Sequence, residues 1–151
     1  MFDILGARVA NARLVDLYAG SGAVGLEAVS RGAARAVLVE PEAAALRRNV
    51  SLVAGGDSVV EVLAVPAESA LPVLEGRGER FDLIFADPPY ERAIAPGVAS
   101  AISRLLAPAG LFVFQTDTDT RFPELPGLRR IERRAYGRNV FLFFESTAAG
   151  F

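Results

Sequence analysis

Short apolar runs alternate along the chain with segments in which apolar residues recur at helical spacing. The apolar runs predict strands at residues 13–18, 36–40, 59–63, 81–86 and 111–116. The segments between them predict helices at residues 23–31, 41–53, 67–74 and 97–107. This alternation is typical of a parallel sheet whose two faces are covered by helices.

Proline and glycine set the expected limits of these helices. Pro41 is expected in the first turn of the second helix, which should end at Gly55 and Gly56. Pro72 is expected to interrupt the third helix early, and Pro108 to close the fourth. These positions are the predictions that a structure tests most easily.

The pattern changes towards the carboxyl terminus. Residues 128–135 and 140–145 are β-type runs joined by Tyr-Gly-Arg-Asn, a hairpin signal because glycine tolerates a positive φ. The predicted fold class is therefore α/β, with a mostly parallel seven-stranded sheet, an antiparallel C-terminal hairpin and helices on both faces. At 151 residues the chain is expected to form a single domain, residues 1–151.

The composition restricts the chemistry of the chain. It contains no cysteine and no histidine, which excludes disulfides, thiolate nucleophiles, imidazole bases and the commonest zinc ligands. No apolar run approaches the roughly 18 residues of a membrane span, and residues 1–5 do not resemble the start of a signal peptide. We predict a cytoplasmic monomer with no membrane partner and no metal, whose chemistry depends on carboxylates, hydroxyls and the backbone.

Arginine is unevenly distributed. The formal net charge is only −2, yet all 16 basic residues are arginine. Six of them lie between positions 121 and 138: Arg121, Arg129, Arg130, Arg133, Arg134 and Arg138. They could contact phosphates, or they could keep an exposed edge strand soluble, and the sequence leaves both interpretations open.

A glycine-rich loop joins the first predicted strand to the first helix. Gly20, Gly22 and Gly25 follow Asp16, and Glu40 ends the second strand 20 residues after Gly20. This spacing predicts bare backbone amides at a helix start, where a ligand can approach closely, and a carboxylate able to accept both hydroxyls of a ribose. A glycine-rich turn needed only to reverse the chain is the simpler alternative.

Two cofactor classes use such a loop, nicotinamide dinucleotides and S-adenosylmethionine. Asp16 favours the second, because S-adenosylmethionine carries a positively charged amino acid that an acid would attract. The length favours it as well, since nicotinamide enzymes usually place their catalytic groups in a further domain.

The fourth predicted strand runs directly into Asp87, Pro88, Pro89 and Tyr90. Ligands of open α/β sheets bind beyond the carboxyl ends of the strands, so Asp87 should face the same crevice as the glycine loop. The Asp87 carboxylate and the Pro88 carbonyl could accept the two N–H groups of an exocyclic amine and direct its lone pair at a methyl donor. Pro88 and Pro89 would stiffen the loop, and Tyr90 would stack on the base.

These motifs together resemble a known family. Residues 16–33 (DLYAGSGAVGLEAVSRGA), 37–42 (VLVEPE) and 85–90 (FADPPY), with Asn49 and Tyr136-Gly137, are similar to the bacterial 16S ribosomal RNA guanine-N2 methyltransferases. The resemblance implies a Rossmann-like class I methyltransferase fold, S-adenosyl-L-methionine as cofactor, and ribosomal RNA or the small ribosomal subunit as partner.

The resemblance also assigns roles to residues of this chain. Carried over by motif, the residues expected to receive the target amine are Asp87, Pro88, Pro89 and Tyr90. The residues expected to bind the cofactor are Asp16, Ala19, Gly20, Ser21, Gly22, Glu40, Ala67 and Asp87, with only a backbone contact expected at Ala67.

Two features depart from the family pattern. Val65-Pro66-Ala67 stands where the family has an Asp or Asn before alanine, and we expect that the basic amino-terminal arm of the family is absent because the chain starts at Met1. Adenine-N6 or protein-glutamine methylation, and a non-catalytic module that binds cofactor or RNA, remain alternatives.

Overall fold

A computed structural model describes residues 1–53, 55–89, 94, 96–117 and 125–147. The strands are β1 (Arg13–Asp16), β2 (Arg35–Val39), β3 (Val60–Leu63), β4 (Phe81–Ala86), β5 (Leu106–Thr116), β6 (Leu128–Tyr136) and β7 (Asn139–Ser146). The helices are α1 (Phe2–Leu5), α2 (Ala23–Ser30), α3 (Ala44–Leu52), α4 (Gly56–Val59), α5 (Ala67–Gly76) and α6 (Pro96–Leu105), with a 3₁₀ turn at Gly6–Arg8.

All seven strands form one sheet in the order β3-β2-β1-β4-β5-β7-β6. Strands β1 to β5 pair in parallel, whereas β7 pairs antiparallel to both β5 and β6. This arrangement confirms the predicted fold class, including the antiparallel hairpin. The strand order reverses between β1 and β4, which is where open α/β sheets leave a crevice for ligands.

Helices cover both faces of the sheet, as the alternating pattern predicts. On one face, Val15, Val37 and Ile84 pack under α5 and α6. On the other face, Leu14, Leu38 and other strand residues pack under α1, α2 and α3. Neighbouring residues of a strand point to opposite faces, so strands buried on both sides are apolar throughout. Among the described residues, no helix is long and apolar enough to cross a membrane.

Three of the expected helix limits are wrong. Helix α3 begins at Ala44 rather than at Pro41, because the Glu40 carboxylate accepts the Glu42 amide at 3.0 Å and holds a turn before the helix. Residues 56–59 form helix α4 instead of a simple glycine stop. Helix α6 ends at Leu105, and β5 continues from Leu106 through Pro108.

Helix α5 also runs through Pro72, against the expected interruption. An interior proline removes one helical hydrogen bond and costs roughly 3 kcal/mol. Ala70, Leu71 and Leu74 are buried around it in the core, and their burial offsets that cost. Tertiary packing therefore overrides the local preference.

Candidate active site at the carboxyl edge of the sheet

The strand register brings three carboxylates to one place. Asp16, the last residue of β1, pairs with Leu38 on β2 and with Phe85 on β4. Glu40 and Asp87 each lie two residues beyond these partners, so they flank Asp16 at the carboxyl edge. The predicted convergence of Asp16, Glu40 and Asp87 is therefore present in the fold.

Asp16 is the buried member of this group. Its residue surface is 1% exposed, and burial raises the pKa of its carboxyl to about 7. The Tyr18 amide donates to Asp16 Oδ1 at 3.2 Å and opposes that rise, whereas the negative charges of Asp87 and Glu40 add to it. An acid in this environment gains from a cationic ligand, which would favour its ionised form.

Glu40 is held in a fixed orientation by the backbone. Its Oε1 accepts the Gly20 amide at 2.9 Å, and its Oε2 accepts the Glu42 amide at 3.0 Å. A carboxylate has about four lone-pair sites, so each oxygen can still accept a second donor. Glu40 thus links the glycine loop to the end of β2 and remains able to bind a pair of hydroxyls.

The glycine loop owes its shape to two left-handed residues. Gly20 has φ 56° and Gly22 has φ 90°, conformations that residues with a Cβ rarely adopt. A Cβ on Gly22 would lie 2.5 Å from Leu46 Cδ1, whereas a Cβ on Gly20 would meet no atom within 4 Å. Gly22 therefore lets the loop pack against α3, and Gly20 leaves open space on the outer side of the loop.

The expectation of bare loop amides is wrong for both of these glycines. The Gly20 amide donates to Glu40, and the Gly22 amide donates to the Ala19 carbonyl at 2.8 Å. The Ala19 amide in turn donates to the Val39 carbonyl at 2.9 Å. These amides stabilise the loop itself, so the glycines act through backbone conformation and space.

Asn49 is a residue of the site to which the sequence assigned no role. Its Nδ2 donates to the Ser21 carbonyl at 2.8 Å and so joins α3 to the loop between Gly20 and Gly22. Asn49 is among the residues that carry the family resemblance, and its low helix propensity in a helix interior was a second signal. The pattern could not identify Ser21 as its partner, because the contact spans 28 positions.

The Asp87-Pro88-Pro89 segment continues directly from β4. Asp87 has an exposed side chain, yet partial desolvation by the surrounding protein raises its pKa. Pro88 is buried and Pro89 is exposed, so the buried Pro88 anchors the middle of the segment. Tyr90, the predicted stacking platform, lies outside the described residues.

Ala67 begins helix α5 after the end of β3. It is only 2% exposed, and the Pro66 carbonyl accepts the Ser69 and Ala70 amides in the first turn. The Glu40 amide donates to the Leu63 carbonyl at 3.1 Å, so the end of β3 lies beside Glu40. With its side chain in the core, Ala67 could offer a ligand only its backbone.

Comparison with known proteins adds independent evidence. The matching family model is described as Conserved hypothetical protein 95 and covers residues 1–145. Ribosomal RNA small subunit methyltransferase D of Escherichia coli K12 is 27% identical over 157 residues, spanning 99% of this chain and 76% of that protein. The Bacillus subtilis protein named "Putative rRNA methyltransferase YlbH" is 30% identical over 142 residues, spanning 91% and 77%.

A solved structure supports the same grouping. A conserved hypothetical protein of Streptococcus pyogenes superposes with a TM-score of 0.83 at 31% identity, covering 95% of this chain and 91% of that one. The chain therefore belongs to the Conserved hypothetical protein 95 family, and its likeness to ribosomal RNA small subunit methyltransferase D confirms the family resemblance that its motifs predict.

Proposed function

We propose that this protein is an S-adenosylmethionine-dependent N-methyltransferase that modifies the exocyclic N2 amine of a guanine in 16S ribosomal RNA. The observation that carries the proposal is the position of Asp87-Pro88 beside Asp16 and Glu40, at the point where the strand order reverses. An amine acceptor and the candidate cofactor residues would thereby share one crevice. The names of the relatives support ribosomal RNA as the substrate class.

The residues of the crevice fit S-adenosylmethionine. Asp16 is a buried acid whose nearest charged neighbours in the site are carboxylates, an environment that favours a ligand with positive charge. Glu40 would accept the ribose hydroxyls, and the open space at Gly20 would admit the ligand close to the loop. The backbone at Ala67 would lie beside the base of the cofactor. When bound, the cofactor supplies an electrophilic methyl group.

The Asp87 segment would orient the amine. The Asp87 carboxylate accepts one N–H and the Pro88 carbonyl accepts the other, which holds the nitrogen lone pair out of conjugation with the ring. As the new N–C bond forms and the methyl–sulfur bond breaks, with S-adenosylhomocysteine as the leaving group, the same oxygens would stabilise the positive charge on nitrogen. Asp87 then accepts the proton that the nitrogen loses, and its raised pKa makes it a better base than an ordinary aspartate.

The experiment is methyl transfer from labelled cofactor to 16S ribosomal RNA, either naked or in small subunits from cells that lack the modification. We expect the label in N2-methylguanine. Label in N6-methyladenine or in protein glutamine would overturn the guanine assignment, and cofactor binding without any transfer would support the non-catalytic alternative. Asp82→Asn is a suitable control, because it removes one negative charge from the opposite end of β4 and keeps the acceptor for the Arg13 amide.

A further inference from the structure

The carboxyl-terminal hairpin, residues 128–146, has its turn at the same edge of the sheet as the candidate active site. Ala135 pairs with Val140 on β7, and Val140 pairs with Thr116, the last residue of β5. Thr116 lies two residues beyond Phe114, which pairs with Ala86 immediately before Asp87. The turn at residues 137–138 therefore projects from the same edge as Asp87, a few residues beyond its level and about three strand spacings, or roughly 14 Å, to the side.

The hairpin is the basic part of an acidic chain. It contains five arginines and two glutamates, whereas the whole chain has a net charge of −2. Arg134 and Arg138 are exposed beside the turn. Arg134 forms an ion pair with Glu132 at 3.1 Å, but an exposed pair is worth about 0 to 1 kcal/mol and does not prevent a phosphate contact. Within the described ranges, no carboxylate pairs with Arg138.

An exposed aromatic residue, Tyr136, lies between these two arginines in the sequence. Tyr136 is 44% exposed, and its ring meets Phe141 edge to face, with centroids 5.8 Å apart and planes at 71°. Arg134 and Tyr136 are two residues apart on β6 and therefore project from the same face. Phe141 fixes the Tyr136 ring without covering it.

We propose that the hairpin is an RNA-docking surface, which binds a single-stranded segment next to the target nucleotide. Tyr136 would stack on an unpaired base, while Arg134 and Arg138 contact the phosphates on either side of it. Aromatic rings interleaved with arginine are the recurring chemistry of single-strand sites, and such sites extend over about 4 to 16 nucleotides in other folds. The inference rests on the proposed function for the identity of the RNA and for the target nucleotide next to the docked segment.

The test measures affinity for single-stranded fragments of 16S ribosomal RNA across a range of salt concentrations, without cofactor. Arg134→Gln and Arg138→Gln should each weaken binding and reduce the salt slope by about 0.7, the value for one phosphate contact on a single strand. Tyr136→Leu should weaken binding at least about fivefold with the slope unchanged, while Tyr136→Phe stays near wild type. Glu132→Gln should tighten binding, because it releases Arg134.

The ion pair between Glu27 of α2 and Arg31, the residue after α2, is a matched control. Its side chains are 47% and 50% exposed, against 41% and 54% for Glu132 and Arg134, and Arg31 follows the end of α2 that lies away from the active-site edge. Glu27→Gln and Arg31→Gln should leave RNA affinity and salt slope close to wild type. Arg134→Gln and Arg31→Gln variants that bind RNA equally well would overturn the inference, as would an unchanged affinity in Tyr136→Leu.

The two proposals fail in different ways. If the wild type transfers no methyl group, the enzymatic proposal is rejected. If the hairpin variants of that protein nevertheless lose RNA binding, the docking surface is supported. Normal RNA binding in all hairpin variants of an active enzyme would reject the docking surface alone. In that case the arginines serve only to keep the edge strand β6 soluble.

Discussion

Asp16→Asn should stabilise the ligand-free protein at neutral and alkaline pH. The carboxyl of Asp16 has a pKa of about 7 in the fold, against 3.8 as the ordinary value, because burial penalises its charge. A shift of this size, at 1.36 kcal/mol for each pKa unit, corresponds to roughly 4 kcal/mol. Asparagine removes the buried charge and keeps an oxygen acceptor for the Tyr18 amide.

The sign of the effect depends on pH. Between about pH 4 and pH 7 the folded protein binds a proton at Asp16 that the unfolded chain releases, so this group stabilises the wild type at low pH. That contribution is lost progressively as the pH rises from about 4 to the folded-state pKa of about 7. The difference in free energy of unfolding between Asp16→Asn and wild type should therefore be small near pH 4 and grow to a few kcal/mol by pH 8.

Urea denaturation at pH 4.5, 6 and 8 measures this difference, with Asp82→Asn as a control for the loss of one exposed acid. A constant difference across the three pH values, or a less stable Asp16→Asn at pH 8, would refute the reasoning. In the same variant, affinity for S-adenosylmethionine should fall, because the acid that attracts the cation is gone.

The remaining predictions concern the cofactor loop and the proton on Asp16. Calorimetry in buffers of different ionisation enthalpy should detect release of close to one proton when S-adenosylmethionine binds at pH 6, and far less at pH 7.5, where most of Asp16 is already ionised; equal release at both would contradict the role of Asp16. Asn49→Ala should weaken cofactor binding roughly 5- to 10-fold, since one hydrogen bond to the loop is lost, while Asn49→Asp fails to restore it. Gly22→Ala should be less stable than Gly20→Ala by urea denaturation, because of the two only Gly22 combines a positive φ with a 2.5 Å approach to the buried Leu46 side chain; equal stabilities would exclude this account of the loop.

The periodic features of the fold were predictable from the sequence because they depend on local pattern. The apolar runs identified the strands, and the rule that carboxyl ends of parallel strands meet at one edge brought Asp16, Glu40 and Asp87 together. The glycine in the turn after Tyr136 identified the hairpin. Each of these inferences needs only short stretches of the chain.

The features that sequence reasoning missed depend on contacts between distant segments. Pro72 stays within α5 because buried leucines of the core hold the helix together, which a local rule for proline cannot include. The Gly20 amide donates to Glu40, and the Ser21 carbonyl accepts from Asn49. Both partners come from segments that contact the loop only in the folded chain. Helix α4 was missed because its residues were divided between a glycine stop and the start of a strand.

The most direct test of the central claim compares wild type and Asp87→Ala in a single-turnover assay with labelled S-adenosylmethionine and unmodified small-subunit RNA. We expect wild type to form N2-methylguanine. We expect Asp87→Ala to keep most of its cofactor affinity while losing at least about 100-fold in the rate of transfer, which is the lower range for a positioned acid or base. Transfer by Asp87→Ala at the wild-type rate would contradict the assignment of Asp87-Pro88 as the holder of the target amine.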